Sequence, residues 1–244
     1  FSFLPHAAGV VQASPTQVTI DAYADTYIKK SSGNTNYSTS LLLEGSRYKL
    51  GSDGEQKVAI LGFDLTDYSN KQVIDAVLKF EVSDLDSSIS DSNGIKSKAI
   101  KIYPEVDFSS ITFNNFLAKK LARADLDPQD DYGVGDNILS SNPTLLSYAY
   151  PYIHTFILAS TNGNAALEAQ YRVKVSTQGG KKIVEVPLGD SLQELGGSKF
   201  SLHLNNQRGK DIKIYSRENA NRTTPQLILT LEDKGFTYET SDGI

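Results

Sequence analysis

Apolar and polar residues alternate with period two along most of this chain. That is the pattern of strands that bury one face and wet the other. Residues 17–24 alternate in this way and read as one strand, with Asp25-Thr26-Tyr27-Ile28 directly after it. A run rich in Ser, Gly, Asn and Thr then spans 29–40, and Leu41-Leu42-Leu43 resumes the strand pattern. Further strands are predicted over 58–65, 73–82, 99–103, 171–175, 182–186, 200–204, 212–215 and 226–231. About ten short strands punctuated by Gly, Asn and Ser turns predict an all-β fold. The expected architecture is a single jelly-roll β-sandwich over residues 17–232, with tails at 1–16 and 233–244. Only the stretch 104–165 breaks the pattern, with a short helix expected over 118–123. No repeat of period 20–50 runs through the chain, which argues against solenoids and propellers.

Composition narrows the chemistry. The 244 residues contain no Cys, no Met and no Trp, and only three His: His6, His154 and His203. Without Cys there are no disulfides, thiolate nucleophiles, Cys-ligated zinc or iron–sulfur clusters. Three scattered histidines argue against a His-rich metal site or a His-based triad. A net charge of −5 argues against nucleic acid as the partner. No run of 18 apolar residues predicts a membrane span. The missing Met leads to the expectation of a processed N-terminus and hence of a secreted, extracellular or cell-surface protein. A domain of this size reaches stability without disulfides.

Residues 1–16 carry no Asp, Glu, Lys or Arg. Phe1, Phe3, Leu4, Val10 and Val11 make the stretch apolar, and it ends in a Ser-Pro-Thr turn signal. Such a tail is expected to pack on a sheet, its own or that of a neighbouring copy.

Five blocks, in order, resemble one family. Ala24-Asp25-Thr26-Tyr27-Ile28 with Asn34-Thr35-Asn36-Tyr37 is similar to an opening of the "DTYV…NTNYG" type. The stretches 58–65 and 73–80 are similar to "RALLRFDLS" and "I-x-S-A-x-L-x-L" strands. Ile102-Tyr103 with Ser110-Ile111-Thr112-Phe113-Asn114-Asn115 is similar to "V-Y…VTWNN". Tyr215-Ser216-Arg217-Glu218, closed by Pro225-Gln226-Leu227-Ile228-Leu229, is similar to "SRE…PxLxV". Together they resemble the DNRLRE (disaggregatase-related) domain, a group that includes the family-96 carbohydrate-binding modules. Phe113 stands where that family has Trp, and the stretch from Asn115 to about Gln170 is longer than its norm.

The resemblance implies a jelly-roll module of secreted and cell-surface proteins that binds acidic polysaccharide of the alginate type. Uronate carboxylates call for Lys or Arg beside Tyr, because charge-assisted hydrogen bonds hold the anion while the ring packs on the sugar. Lys29, Lys30, Tyr37, Arg47, Tyr48 and Lys49 are the candidates, against the alternative that they are solvated turn residues. Arg217 and Glu218 fall in a predicted strand and so point to opposite faces. A half-buried ion pair is one reading of Glu218; the other is a structural Ca²⁺ held with Asp25, since calcium takes six to eight oxygens. The acidic residues Asp125, Asp127, Asp130, Asp131 and Asp136 form a second calcium candidate or a solvated loop. Asn36 and Asn221 begin N-glycosylation sequons. Catalysis finds little in the sequence: Tyr148, Tyr150, Tyr152 and His154 are the only Tyr/His cluster that a polysaccharide lyase would use.

Two functions follow. One is a non-catalytic extracellular adhesion or matrix module that binds polysaccharide. The other is a structural subunit of a filament or surface layer, in which the tail 1–14 fills a groove in the next copy. Such head-to-tail contacts build open filaments when the rotation does not close. The partners expected are acidic polysaccharide, copies of the same chain, or both.

Overall fold

A computed structural model describes residues 14–46, 57–85, 100–116, 173–204 and 212–234. Its eleven described strands form two antiparallel sheets packed face to face. Sheet A contains β1 (Thr16–Asp21), β3 (Leu42–Gly45), β5 (Lys71–Leu85), β7 (Lys174–Gln178), β8 (Lys181–Pro187), β10 (Ile212–Tyr215) and β11 (Gln226–Asp233). Its order runs β1-β11-β5-β10-β3, and β8 and β7 extend it from the other side of β5. Sheet B has the order β2-β4-β9-β6, with β2 at Ala24–Lys29, β4 at Lys57–Asp64, β9 at Lys199–Leu204 and β6 at Ile100–Pro104. The expectation of an all-β sandwich is met.

The alternation read from the sequence decides which side chains fill the space between the sheets. Ala76, Leu78, Phe80 and Val82 of β5 face Ala59, Leu61 and Phe63 of β4 across it. They are joined there by Phe200, Leu202 and Leu204 of β9 and by Leu227, Leu229 and Leu231 of β11. Burying such a side chain is worth about 1.5–3 kcal/mol each, so this one layer supplies the bulk of the hydrophobic driving force. β4 differs from an ordinary sandwich strand, because it is buried on both faces. Its second face, with Ile28 of β2, carries Val58 and Ile60 beneath Phe108, Ile111, Phe113 and Phe116. The segment after β6 thus folds back as a lid over the outside of sheet B, ending in a helical turn at 113–116.

One expectation needs correction. The single strand predicted over 17–24 is two strands in different sheets. β1 ends at Asp21, and β2 starts at Ala24. Between them the Ala22 N–H donates to Pro225 O at 2.8 Å, the last bond toward sheet A. The Tyr23 N–H then donates to Gly62 O at 3.0 Å, the first toward sheet B. A change of sheet preserves the period-two pattern, because both sheets present one face to the same core. β7 also lies later than the strand expected over 171–175, while β8 matches the one expected over 182–186; the two close a hairpin through Gly179 and Gly180, with φ of 58° and 79°. Two consecutive left-handed residues make the two-residue turn that matches strand twist, and glycine adopts them without a Cβ clash. The helix expected over 118–123 and the tail 1–13 lie outside the described residues.

Candidate functional site

The predicted site residues separate into three places. Asp25 lies on β2 facing the core, alternating with Tyr27 and opposite Leu61. It is 2% exposed. Its Oδ2 accepts the backbone N–H of Arg217 at 2.8 Å, so a side chain of sheet B grips the chain just beyond β10 of sheet A. Its Oδ1 is buried with no hydrogen-bond partner, as is Ser216 Oγ one residue from the donor. Burial pushes the Asp25 carboxyl up to about 7; the Arg217 amide bond works against that rise and the Glu218 charge adds to it.

Arg217 and Glu218 are not in a strand. β10 stops at Tyr215, and the Asn219 N–H closes a turn onto Ser216 O at 3.2 Å. Capture of the Arg217 amide by Asp25 takes that group out of any ladder, which is why the strand ends there. The two side chains approach to 4.0 Å at the surface, a geometry worth little in water. Asp25 and Glu218 fit a cation in one respect: a buried, unpartnered carboxylate oxygen is a hard donor. The donor set is thin, however, since among the described residues no three His, Asp or Glu side chains gather.

Lys29 and Lys30 sit where β2 ends and a single 3-10 turn begins, Lys29 half-buried and Lys30 exposed. Tyr37 is half-buried and packs against the core. Its ring stacks on the buried Tyr27 ring at 4.2 Å between centroids, 23° from parallel. Arg47, Tyr48 and Lys49 lie outside the described residues, as do Phe1, Phe3, Leu4, Val10, Val11, the acidic run 125–136 and the Tyr/His cluster 148–154.

Asn36 anchors the lid. Its Nδ2 donates to Phe108 O and Ile111 O, both at 2.9 Å, while its Oδ1 accepts the Ser38 N–H at 3.0 Å. Both amide hydrogens, which a glycan would need to replace or reorient, are held by the folded chain. Nearby, the Asn114 N–H donates to Gly33 O and Asn114 Nδ2 donates to Asn34 Oδ1, each at 2.8 Å. A Cβ on Gly33 would run into the Asn114 side chain, so glycine here lets the two loops approach without displacing it. Asn221, the second sequon, is exposed on the β10–β11 loop.

Two polar clusters escaped the reading of the sequence. Ser201 Oγ and His203 Nε2 share a hydrogen bond at 2.9 Å on the outer face of sheet B, both fully buried, with the Phe116 ring 5.6 Å from the imidazole. Alternation places Ser201 and His203 on one face, but their burial depends on the lid. The other cluster surrounds Glu81 of β5, which is 1% exposed although its position faces outward. Glu81 Oε1 accepts from Arg222 Nη1 at 3.0 Å and Oε2 accepts the Thr223 N–H at 2.8 Å, with Lys181 Nζ at 3.6 Å. These donors outweigh the burial of Glu81 and hold its carboxyl below the usual range.

No protein-family model matches the chain. No curated protein matches it either. Among the described residues no helix is long and apolar enough to cross a membrane.

Proposed function

We propose that this chain is a DNRLRE-like jelly-roll module acting as a non-catalytic extracellular adhesion or matrix protein that binds acidic polysaccharide. One observation carries the reading: the sequence blocks that resemble the family are the ones that hold each other in space. The Asp25 of the first block grips the Arg217 amide of the last. The Asn36 of the first block holds the carbonyl of Ile111 in the fourth, and that of Phe108 just before it. Separate weak matches become mutually dependent contacts, and that supports a common architecture over chance similarity. Lys29 and Lys30 supply cations for a polyuronate at the rim of sheet B, and a structural Ca²⁺ on Asp25 and Glu218 belongs to the same reading. The test is a panel of acidic and neutral glycans measured by calorimetry at two salt concentrations. Binding of an alginate-like chain that weakens with salt is expected. A panel without a binder overturns the polysaccharide reading.

A second reading is a filament or surface-layer subunit built by strand donation. It is favoured by the place where residues 1–13 enter the fold. They lead into β1, an outer strand of sheet A bonded only to β11 among the described strands. An open sheet edge is a template for a further strand. The mass in solution of the full chain and of a variant lacking residues 1–13 decides this reading. Assembly that survives the deletion overturns it.

A further inference from the structure

Three elements converge on the outer face of sheet A around Glu81. β5 carries Glu81 itself. The start of β8 brings Lys181 from one side, next to the tight glycine turn. The β10–β11 loop brings Arg222 and Thr223 from the other. The Arg222 guanidinium lies 4.6 Å from the centre of the Tyr215 ring. A guanidinium held against an aromatic face and tied at Nη1 to a buried carboxylate has lost most of its rotamer freedom before any ligand arrives. Lys181 is fixed in a similar way, by Glu81 Oε2 at 3.6 Å and Thr223 Oγ1 at 3.4 Å.

The charge at this spot does not cancel. Two cations share one carboxylate, and the adjacent Lys79 is already matched by Glu185 at 3.8 Å. Among the described residues this leaves a local excess of one positive charge, on a chain whose net charge is −5. Both cations also remain open to solvent, Arg222 with 39% of its side chain exposed and Lys181 with 37%. Among the described residues only Nη1 of the Arg222 fork is engaged, so the remaining N–H groups keep their capacity to donate.

We propose that Arg222 and Lys181, seated on Glu81 and Tyr215, form a binding subsite for a carboxylate of an anionic polysaccharide. Arg222 engages the planar carboxylate through its unused N–H edge, and Lys181 adds a point charge beside it. The ordering cost of binding is reduced for Arg222, whose guanidinium already rests on Glu81 and Tyr215. Tyr215 serves as the support for the guanidinium rather than as a sugar platform. The subsite lies in sheet A, apart from Lys29 and Lys30 of sheet B. The inference rests on the polysaccharide reading given above.

The experiment measures binding of a polyuronate, and of the same polymer with its carboxyls reduced to alcohols, to the full chain and to Arg222→Lys and Lys181→Gln. Arg222→Lys retains the charge opposite Glu81 but removes the fork, so the fold is kept while the carboxylate contact is weakened. Thermal melting checks that each variant is folded. Expected are a 3- to 10-fold loss of affinity for Arg222→Lys, a 2- to 5-fold loss for Lys181→Gln, and no binding of the reduced polymer. Polyuronate binding unaltered in both folded variants overturns the subsite and leaves the polysaccharide reading standing. Equal binding of the reduced polymer overturns the carboxylate assignment. Failure of the wild-type chain to bind any glycan overturns both.

Discussion

Replacing Asp25 by Asn tests the sharpest electrostatic feature of the fold. The carboxyl is buried between the sheets, and its folded value is raised from an ordinary 3.8 to about 7, chiefly by loss of hydration. The direction of the stability change follows from linkage. A carboxyl with a raised folded value contributes most below its unfolded value, and the contribution is lost as pH rises toward 7. Above pH 7 the native state carries a buried charge with one oxygen unpartnered. At about 1.4 kcal/mol per unit, a rise of roughly three units costs about 4 kcal/mol at high pH. Most of that, about 3 kcal/mol, develops between roughly pH 4.5 and pH 8.5. Asparagine keeps an acceptor for the Arg217 amide and removes the ionisation. Urea unfolding of both proteins across this pH range is therefore expected to give curves that diverge, the variant gaining about 3 kcal/mol on the wild type by the alkaline end. The gain is read as a difference across pH, because the added amide NH₂ carries its own pH-independent cost. Parallel curves would refute the buried-charge account. The same pair of proteins tests calcium: a metal-dependent rise in melting temperature present in the wild type and absent in Asp25→Asn is expected if Asp25 ligates Ca²⁺. A wild-type midpoint unchanged by chelator removes that proposal.

Three further outcomes are expected. Asn36→Ala strips two hydrogen bonds from the lid and leaves the carbonyls of Phe108 and Ile111 without that donor; a loss of about 2–4 kcal/mol in chemical unfolding is expected, and a loss below 0.5 would refute the anchoring role. Gly62→Ala places a Cβ 2.7 Å from two Phe108 ring atoms; it is expected to cost about 1–3 kcal/mol through overpacking, with part of the loss recovered in the double variant Gly62→Ala/Phe108→Leu. Tyr37→Phe keeps the ring stacked on Tyr27 and is expected to melt within a degree or two of the wild type, while Tyr37→Ala, which removes a half-buried ring, is expected to lose about 1–3 kcal/mol; the reverse order would contradict a packing role for the ring.

Much of the fold was legible because strand alternation is a local property. The period-two runs located nearly every described strand within a few residues, and β10 came out residue for residue at 212–215. The blocks around Asp25, Asn36 and Arg217 also stood out locally, by resemblance. Their roles did not. Asp25 also accepts a backbone amide 192 residues away, a contact that no local pattern announces. Tyr37 is half-buried, with its ring stacked on Tyr27, a packing contact that its sequence surroundings did not reveal.

The sequence by itself determined that this is a β protein, which face of its alternating strands is apolar, and that these residues offer no cysteine chemistry. These depend on side-chain periodicity and composition, which no contact alters. Only the tertiary structure decided that 17–24 divides between two sheets, since both sheets share one core and the alternation does not register the crossing. It alone decided that Glu81, outward-facing by pattern, is buried. Burial on the outer face depends on what the β10–β11 loop lays over it, and that loop is separated from Glu81 by about 140 residues of chain.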